Sequence, residues 1–427
     1  MKKIPLRKLE LDLYTETLQN GLRVYVIPKV GNNIYATFTT QYGSNINSFV
    51  PLGETEMITV PNGIAHFLEH KVFEEKDGED PFTYFGTRGA DANASTSYEK
   101  TTYLFSGTSS FEENLNFLLD FVQNPYFTEE NVEKEKGIIA EEIKMYEDNP
   151  FSRLYERTLH NSFVLDPIRI STQGTVQSIS KITKDMLYTC YNTFYHPSNM
   201  VLIVTGNVDP TETIHIVEKN QEKKKFLEKQ KIEVKKYEEP DAVAIKEETL
   251  FMNCSIPKFC VAIKIGYCTK KESLYQMQSS LSHFLNSKFG VTSVFSEDLQ
   301  KSGLIHDDLG MNIVRTNTHF LCMIMGESRN PEEVIGRIQK ELLDPMITEE
   351  ELERKKKVMM SSYIYMSDNV YSLNDKLLSN IVRYGKMIED DKEMKELTYS
   401  KFKKIMKGFD FSHICSVIIR DSTEKKE

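Results

Sequence analysis

Two histidines and a glutamate within five residues, His66-Phe67-Leu68-Glu69-His70, are the side chains of this 427-residue chain best suited to do chemistry. On a helix turning about 100° per residue, His66, Glu69 and His70 share one face, while Ile64, Phe67, Leu68 and Val72 point away toward a core. Imidazoles one turn apart can hold one metal ion, and the carboxylate between them can reach a water on that ion. The order H-x-x-E-H reverses the H-E-x-x-H pattern of zinc peptidases. The plain alternative is a surface helix with two histidines and an ordinary glutamate. Chance would produce the pattern on the order of once in a hundred such chains.

A catalytic zinc held by two histidines needs a third protein ligand, commonly a carboxylate. The helix expected to start at Thr128 offers Glu135 and Glu142, seven residues apart and so on nearly the same face. Both sit among Val132, Ile138, Ile139 and Ile143, which predicts partial burial, and a buried carboxylate requires a partner. Glu141 is a competitor turned about 100° away, toward solvent.

Short strands and longer helices must position these residues. Leu22–Pro28, Tyr35–Tyr42, Thr101–Phe105 and Met200–Thr205 are rich in β-branched and aromatic residues and read as strands. A helical stretch is expected from Asn62-Gly63 to about Glu75, another over Phe111–Val122, and a third from Thr128 to about Tyr146, ended by Asp148-Asn149-Pro150. Residues 219–240 turn Lys/Glu-rich and read as a solvated connector.

The second half repeats the first. His66-Phe67-Leu68 matches His283-Phe284-Leu285 at an offset of 217, as do Thr101 and Leu104 with Thr318 and Leu321; Thr128-Glu129-Glu130 matches Thr348-Glu349-Glu350 at 220. The order implies two copies of an α+β unit of about 200 residues. At these offsets Glu69 and His70 correspond to Asn286 and Ser287, and Glu135 and Glu142 to Lys355 and Ser362. The second copy therefore reads as a twin without a metal site, with His283 a packed histidine.

Composition excludes other classes. Hydrophobic residues make up 40% and charged residues 27%, as in globular proteins, and the net charge of −10 argues against nucleic acid as partner. No stretch approaches the ~18 apolar residues of a membrane span. The basic start, Met1–Arg7, lacks a following apolar segment, and the six cysteines form no C-x-x-C pair. A cytoplasmic protein with free thiols is expected.

His66–His70 followed by Glu135-Lys136-Gly137-Ile138-Ile139-Ala140-Glu141-Glu142 resembles the pitrilysin, insulin-degrading enzyme and mitochondrial processing peptidase family, the inverzincins. Glu142 lies 72 residues beyond His70, which suits that family's spacing. Asn93-Ala94-Ser95-Thr96 is similar to its edge strand, which pairs with substrate backbone, and Tyr195–Met200 to the lead-in of the last strand of its first domain. The compact processing-peptidase-like proteins of Gram-positive bacteria are the nearest resemblance.

The resemblance implies two homologous αβ-roll units, each a mixed, mainly antiparallel sheet with helices on one face. They would occupy residues 1–218, with the zinc site, and 241–427, without one, joined by 219–240. It implies one Zn2+ per chain held by His66, His70 and Glu142, with Glu69 as general base and Glu135 supporting a ligand. The activity implied is endopeptidase action on short or unfolded peptides. Asn93, Ala94, Ser95, Thr96, Gln300 and His306 would meet the peptide substrate. The chain departs from the family at the last two, because Gln300 and His306 stand where self-sufficient members carry Arg and Tyr. A heterodimer in which a homologous partner chain supplies the Arg and Tyr is expected, with a homodimer as the alternative. A non-catalytic scaffold or peptide-binding subunit is the competing role.

Overall fold

Strands rich in valine, isoleucine and threonine supply the frame that holds the His-x-x-Glu-His helix. The computed structural model describes residues 1–425 except 75, 77, 79, 230 and 269–272. The first half carries β1 (Lys2–Leu6), β2 (Leu11–Thr17), β3 (Arg23–Pro28), β4 (Ile34–Thr40), β5 (Ser48–Phe49), β6 (Ile58–Thr59), β7 (Ala90–Thr96), β8 (Thr101–Gly107) and β9 (Met200–Gly206). β5 and β6 pair with each other; the rest form one sheet in the order β1-β2-β3-β9-β4-β8-β7. Only the β3–β9 pairing is parallel.

Alternation along the strands sends Val24, Val26, Ala36, Phe38, Leu202 and Val204 to one face. There they form a core with Phe67 and Leu68 of α1 (Ile64–Val72) and with Leu115, Leu118 and Leu119 of α3 (Phe111–Val122). Phe85 of α2 (Pro81–Gly86) and Ile139 of α4 (Glu129–Asp148) join the same core. The opposite face carries Thr37 and Thr205, which meet Asn374 and Val370 of the helix Val370–Tyr384. Asn374 is fully buried, accepting from Thr37 Oγ1 at 2.7 Å and donating to the carbonyls of Ile203 and Tyr35 at 3.2 and 3.3 Å. Helices thus cover the expected face, and one helix from the second half of the sequence covers the other.

The second sheet consists of β10 (Glu247–Met252), β11 (Lys258–Gly266), β12 (Gly310–Arg315), β13 (His319–Glu327) and β14 (Ile414–Asp421). Its order is β10-β14-β11-β13-β12, with β10 and β14 parallel and the other neighbours antiparallel. Order and directions match β3-β9-β4-β8-β7 strand for strand, so the repeat is a structural one. One face packs on Leu281, Phe284, Val334 and Ile338. On the other, α5 (Pro150–Ser162) lies over β11 and β14.

The compact units accordingly exchange helices across the sequence. Unit 1 is Met1–Ile143, Ser171–Lys236 and Tyr363–Glu389; unit 2 is Lys144–Ile170, Tyr237–Ser362 and Asp390–Glu427. The expected partition at 1–218 and 241–427 follows the repeat, whereas the units cross it. The connector 219–240 also departs from full solvation. Val234 bridges to Phe49, and Glu239 is buried because it accepts from the backbone N–H groups of Val164, Leu165 and Asp166 at 2.7–2.8 Å and pairs with Lys264. Residue 230 of that segment lies outside the described residues, as does Glu75, the expected end of the first helix, which stops at Val72.

Candidate metal centre

The helix α1 is preceded by its N-cap Gly63, whose φ of +89° and tight approach to Gln173 exclude a side chain; a Cβ there would lie 2.2 Å from the Gln173 carbonyl oxygen. Phe67 and Leu68 anchor α1 in the core, which turns His66, Glu69 and His70 together, as helical spacing requires. Opposite them, α4 is anchored by Val132, Ile139 and Ile143 and presents Glu135 and Glu142 on the flank between these apolar rows.

His66 Nε2 lies 3.6 Å from Glu142 Oε1, and His70 Nε2 lies 3.6 Å from Glu142 Oε2. The three donor atoms all fall within 4.8 Å of one another, the one such group among the described residues. Two ligands of a tetrahedral zinc with ~2.0–2.1 Å bonds stand about 3.4 Å apart, so this donor set fits zinc with little adjustment. The competitor Glu141 is exposed and outside the group.

The electrostatics separate the two histidines. Burial, reinforced by the neighbouring His70, lowers His66 to about 3, leaving its imidazole neutral with one ring-nitrogen lone pair available. Burial also acts to lower His70, but the hydrogen bond and charge of Glu135, with Glu69 and Glu142, push it above the ordinary histidine value. Glu135 Oε1 accepts from His70 Nδ1 at 3.0 Å, so the proton sits on Nδ1 and Nε2 faces Glu142. Burial works to raise Glu135, yet His70 and Lys71 hold it below the usual carboxylate range.

Glu69 is nearly sealed from solvent, and burial raises its pKa against the opposing hydrogen bond of Thr96. Thr96 Oγ1 donates to Glu69 Oε2 at 2.5 Å and stands 3.3 Å from Thr101 Oγ1. Thr96 ends β7, which among the described residues is an edge strand paired only with β8. Of its companions, Asn93 and Ser95 are exposed and Ala94 is half-buried, its N–H bound to Asn93 Oδ1 at 2.8 Å. The backbone edge of β7 and the Glu69 carboxylate therefore meet at Thr96.

Gln300 and His306 belong to unit 2. Gln300 is exposed near the end of the helix Val294–Lys301 and donates from Nε2 to Asp308 Oδ1 at 3.1 Å; His306 is exposed in the following loop. In the repeat-equivalent of the metal site, His283 is buried, and burial lowers it to about 4; Asn286 is spent on the Ser282 carbonyl.

Two features escaped sequence reasoning. Lys71 is fully buried beside His70, and Thr96 contacts Glu69 directly. The only signal for Lys71 was a lysine placed among apolar residues of a short helix.

Comparison with known proteins shows the family of the chain. Residues 39–175, which include His66, His70 and Glu142, match the insulinase family (peptidase family M16), and residues 181–359 match the peptidase M16 inactive domain. YmfH of Bacillus subtilis, described as an uncharacterized zinc protease, is 46% identical over 364 residues, covering 84% of this chain and 85% of its own. An uncharacterized zinc protease of Rickettsia felis is 26% identical over 400 residues, covering 90% and 91%. A crystal structure described as an M16-like peptidase from Alicyclobacillus acidocaldarius has a TM-score of 0.92 at 34% identity, covering 97% of this chain and 99% of the other. Among the described residues no helix is long and apolar enough to cross a membrane.

Proposed function

Because the chain belongs to the insulinase family of peptidases, family M16, we propose that it is a zinc-dependent endopeptidase acting on short or unfolded peptides. The observation that carries this reading is the convergence of His66, His70 and Glu142 beside a buried, hydrogen-bonded Glu69. His66, His70 and Glu142 would hold one Zn2+ per chain, which when bound would supply Lewis-acid polarisation of the scissile carbonyl and a lowered pKa for the attacking water.

The chain's own residues do the rest. Glu135 orients His70 through Nδ1 and so keeps its Nε2 directed at the site. Glu69, with Oε2 held by Thr96, accepts the water proton on its other oxygen and returns it to the leaving amine. The open edge of β7, residues Asn93–Thr96, takes the substrate as an added strand, which requires an extended peptide and disfavours folded proteins.

Gln300 carries no charge and His306 is not a phenol, so neither reproduces the Arg and Tyr that assist as oxyanion charge develops. A homologous partner chain supplying both would make this protein the zinc-bearing half of a heterodimer. Full peptidase activity from a stable homodimer of the purified chain would refute that assembly. Six unpaired cysteines, five of them buried, suit a reducing cytoplasm. Glu69→Gln should keep stoichiometric zinc and lose nearly all peptide cleavage; undiminished turnover removes Glu69 from its role. A chain that binds no zinc would instead favour a scaffold.

A further inference from the structure

Lysine is among the residues least often sealed from water, and when it is, it is paired. Lys71 is fully buried, one residue after the metal-binding His70. Its ammonium lies 3.5 Å from Glu135 Oε2 and donates to the Asn131 carbonyl at 3.2 Å, and it also pairs with Glu74. Asn131 and Glu135 are one turn apart on α4, so one side chain of α1 grips two successive turns of the helix that carries Glu142.

We propose that Lys71 is a positioning residue for the metal centre, acting through Glu135 on His70 and through Asn131 on the register of α4. A carboxylate held at one oxygen can still swing about that contact. Glu135 is held at both: His70 Nδ1 on Oε1 and Lys71 on Oε2. Fixing it fixes the imidazole plane of His70. Clamping α4 at Asn131 and Glu135 sets where Glu142, two turns beyond Glu135, meets His66 and His70. The inference rests on the zinc reading above.

The sign of the effect discriminates. Removing a cation beside a metal site should, by charge alone, tighten metal binding. A loss of affinity on removing Lys71 therefore reports geometry rather than field. Zinc affinity of the full chain, measured at one pH by competition with a chromophoric chelator, tests this with no recourse to peptidase activity. Lys71→Met should weaken zinc binding by roughly ten-fold, the lower end of what loss of an outer-sphere partner costs. Glu135→Gln should weaken it at least as much, and Lys71→Met added to Glu135→Gln should weaken binding by less than Lys71→Met does alone, because only the Asn131 contact is left to lose. Lys71→Gln, which keeps a donor for Glu135 and Asn131, should fall between wild type and Lys71→Met and substitutes for it if Met fails to fold. Unchanged or tighter binding by the folded Lys71 variants, or effects of Lys71 and Glu135 that multiply, would overturn the proposal. A wild-type chain that binds no zinc would instead remove the reading on which it rests.

Discussion

Replacing Thr96 by valine isolates one hydrogen bond to Glu69, the general base of the proposed mechanism. Valine has threonine's shape and strand preference, so the pairing of Thr96 with Thr101 across β7 and β8 should survive. What disappears is the Oγ1 donor that contacts Glu69 Oε2 at 2.5 Å. A hydrogen bond to a charged group contributes about 1.5–3 kcal/mol, or roughly 10- to 150-fold. Two consequences of its loss push the same way near neutral pH. The carboxylate regains a rotation that takes its other oxygen off the line of proton transfer. The pKa of Glu69, already raised by burial and restrained by Thr96, rises further, so less of the base is ionised. We expect kcat on a fluorogenic peptide to fall about 10- to 100-fold, with KM and zinc content little changed. The acidic limb of the pH–rate profile should move to higher pH, recovering part of the loss in alkaline buffer, and Thr96→Ser should restore most of kcat. A Thr96→Val enzyme with wild-type kcat and pH profile would show that the contact does not serve Glu69. A change confined to KM would assign Thr96 to substrate pairing alone.

Other consequences are as direct. Asn374→Ala removes four buried hydrogen bonds and should destabilise unit 1 by about 3 kcal/mol in urea; a change under ~0.5 kcal/mol would mean the sheet does not depend on this side chain. Burial acts to raise Glu239, but Lys264 and three backbone N–H groups hold its pKa below the ordinary value. A depressed carboxylate contributes stability above its unfolded pKa of about 4.3 and loses it as pH falls through the lower folded value. The unfolding midpoint should therefore drop on acidification below about pH 4, and Glu239→Gln should flatten that dependence. Because Glu239→Gln leaves the buried Lys264 unpaired, it should also cost about 3 kcal/mol near neutrality, readable in urea melts. Chelation of zinc should abolish peptide cleavage and readdition restore it, with recovery following zinc bound; cleavage persisting without metal would refute the mechanism.

Much of the frame was legible because its signals are local. Phe111–Val122 is the helix its apolar spacing predicts, to the residue, and Met200–Gly206 extends the expected strand by one. The repeat, read from three short matches, reappears as the same order in the second sheet and in five of the seven strands of the first. The His-x-x-Glu-His face and the seven-residue spacing of Glu135 and Glu142 follow from helical period alone, and those residues do converge. Burial of polar groups was another matter. The Lys/Glu-rich 219–240 segment reads as solvated because charge usually is, yet Glu239 finds four donors from chain far away in sequence.

The amino-acid sequence by itself determined which residues can bind a metal, which helix faces they share and that the architecture comes twice, since periodicity and residue type are properties of neighbours along the chain. Tertiary structure alone decided which carboxylate oxygen meets which imidazole, that Thr96 holds Glu69, that Lys71 lies sealed against Glu135, and that α5 and the helix Val370–Tyr384 each cover the sheet of the other sequence half. The reason is physical. The cost of burying a charge or hydroxyl is offset only by partners brought from distant segments, and no local pattern records which partner arrives.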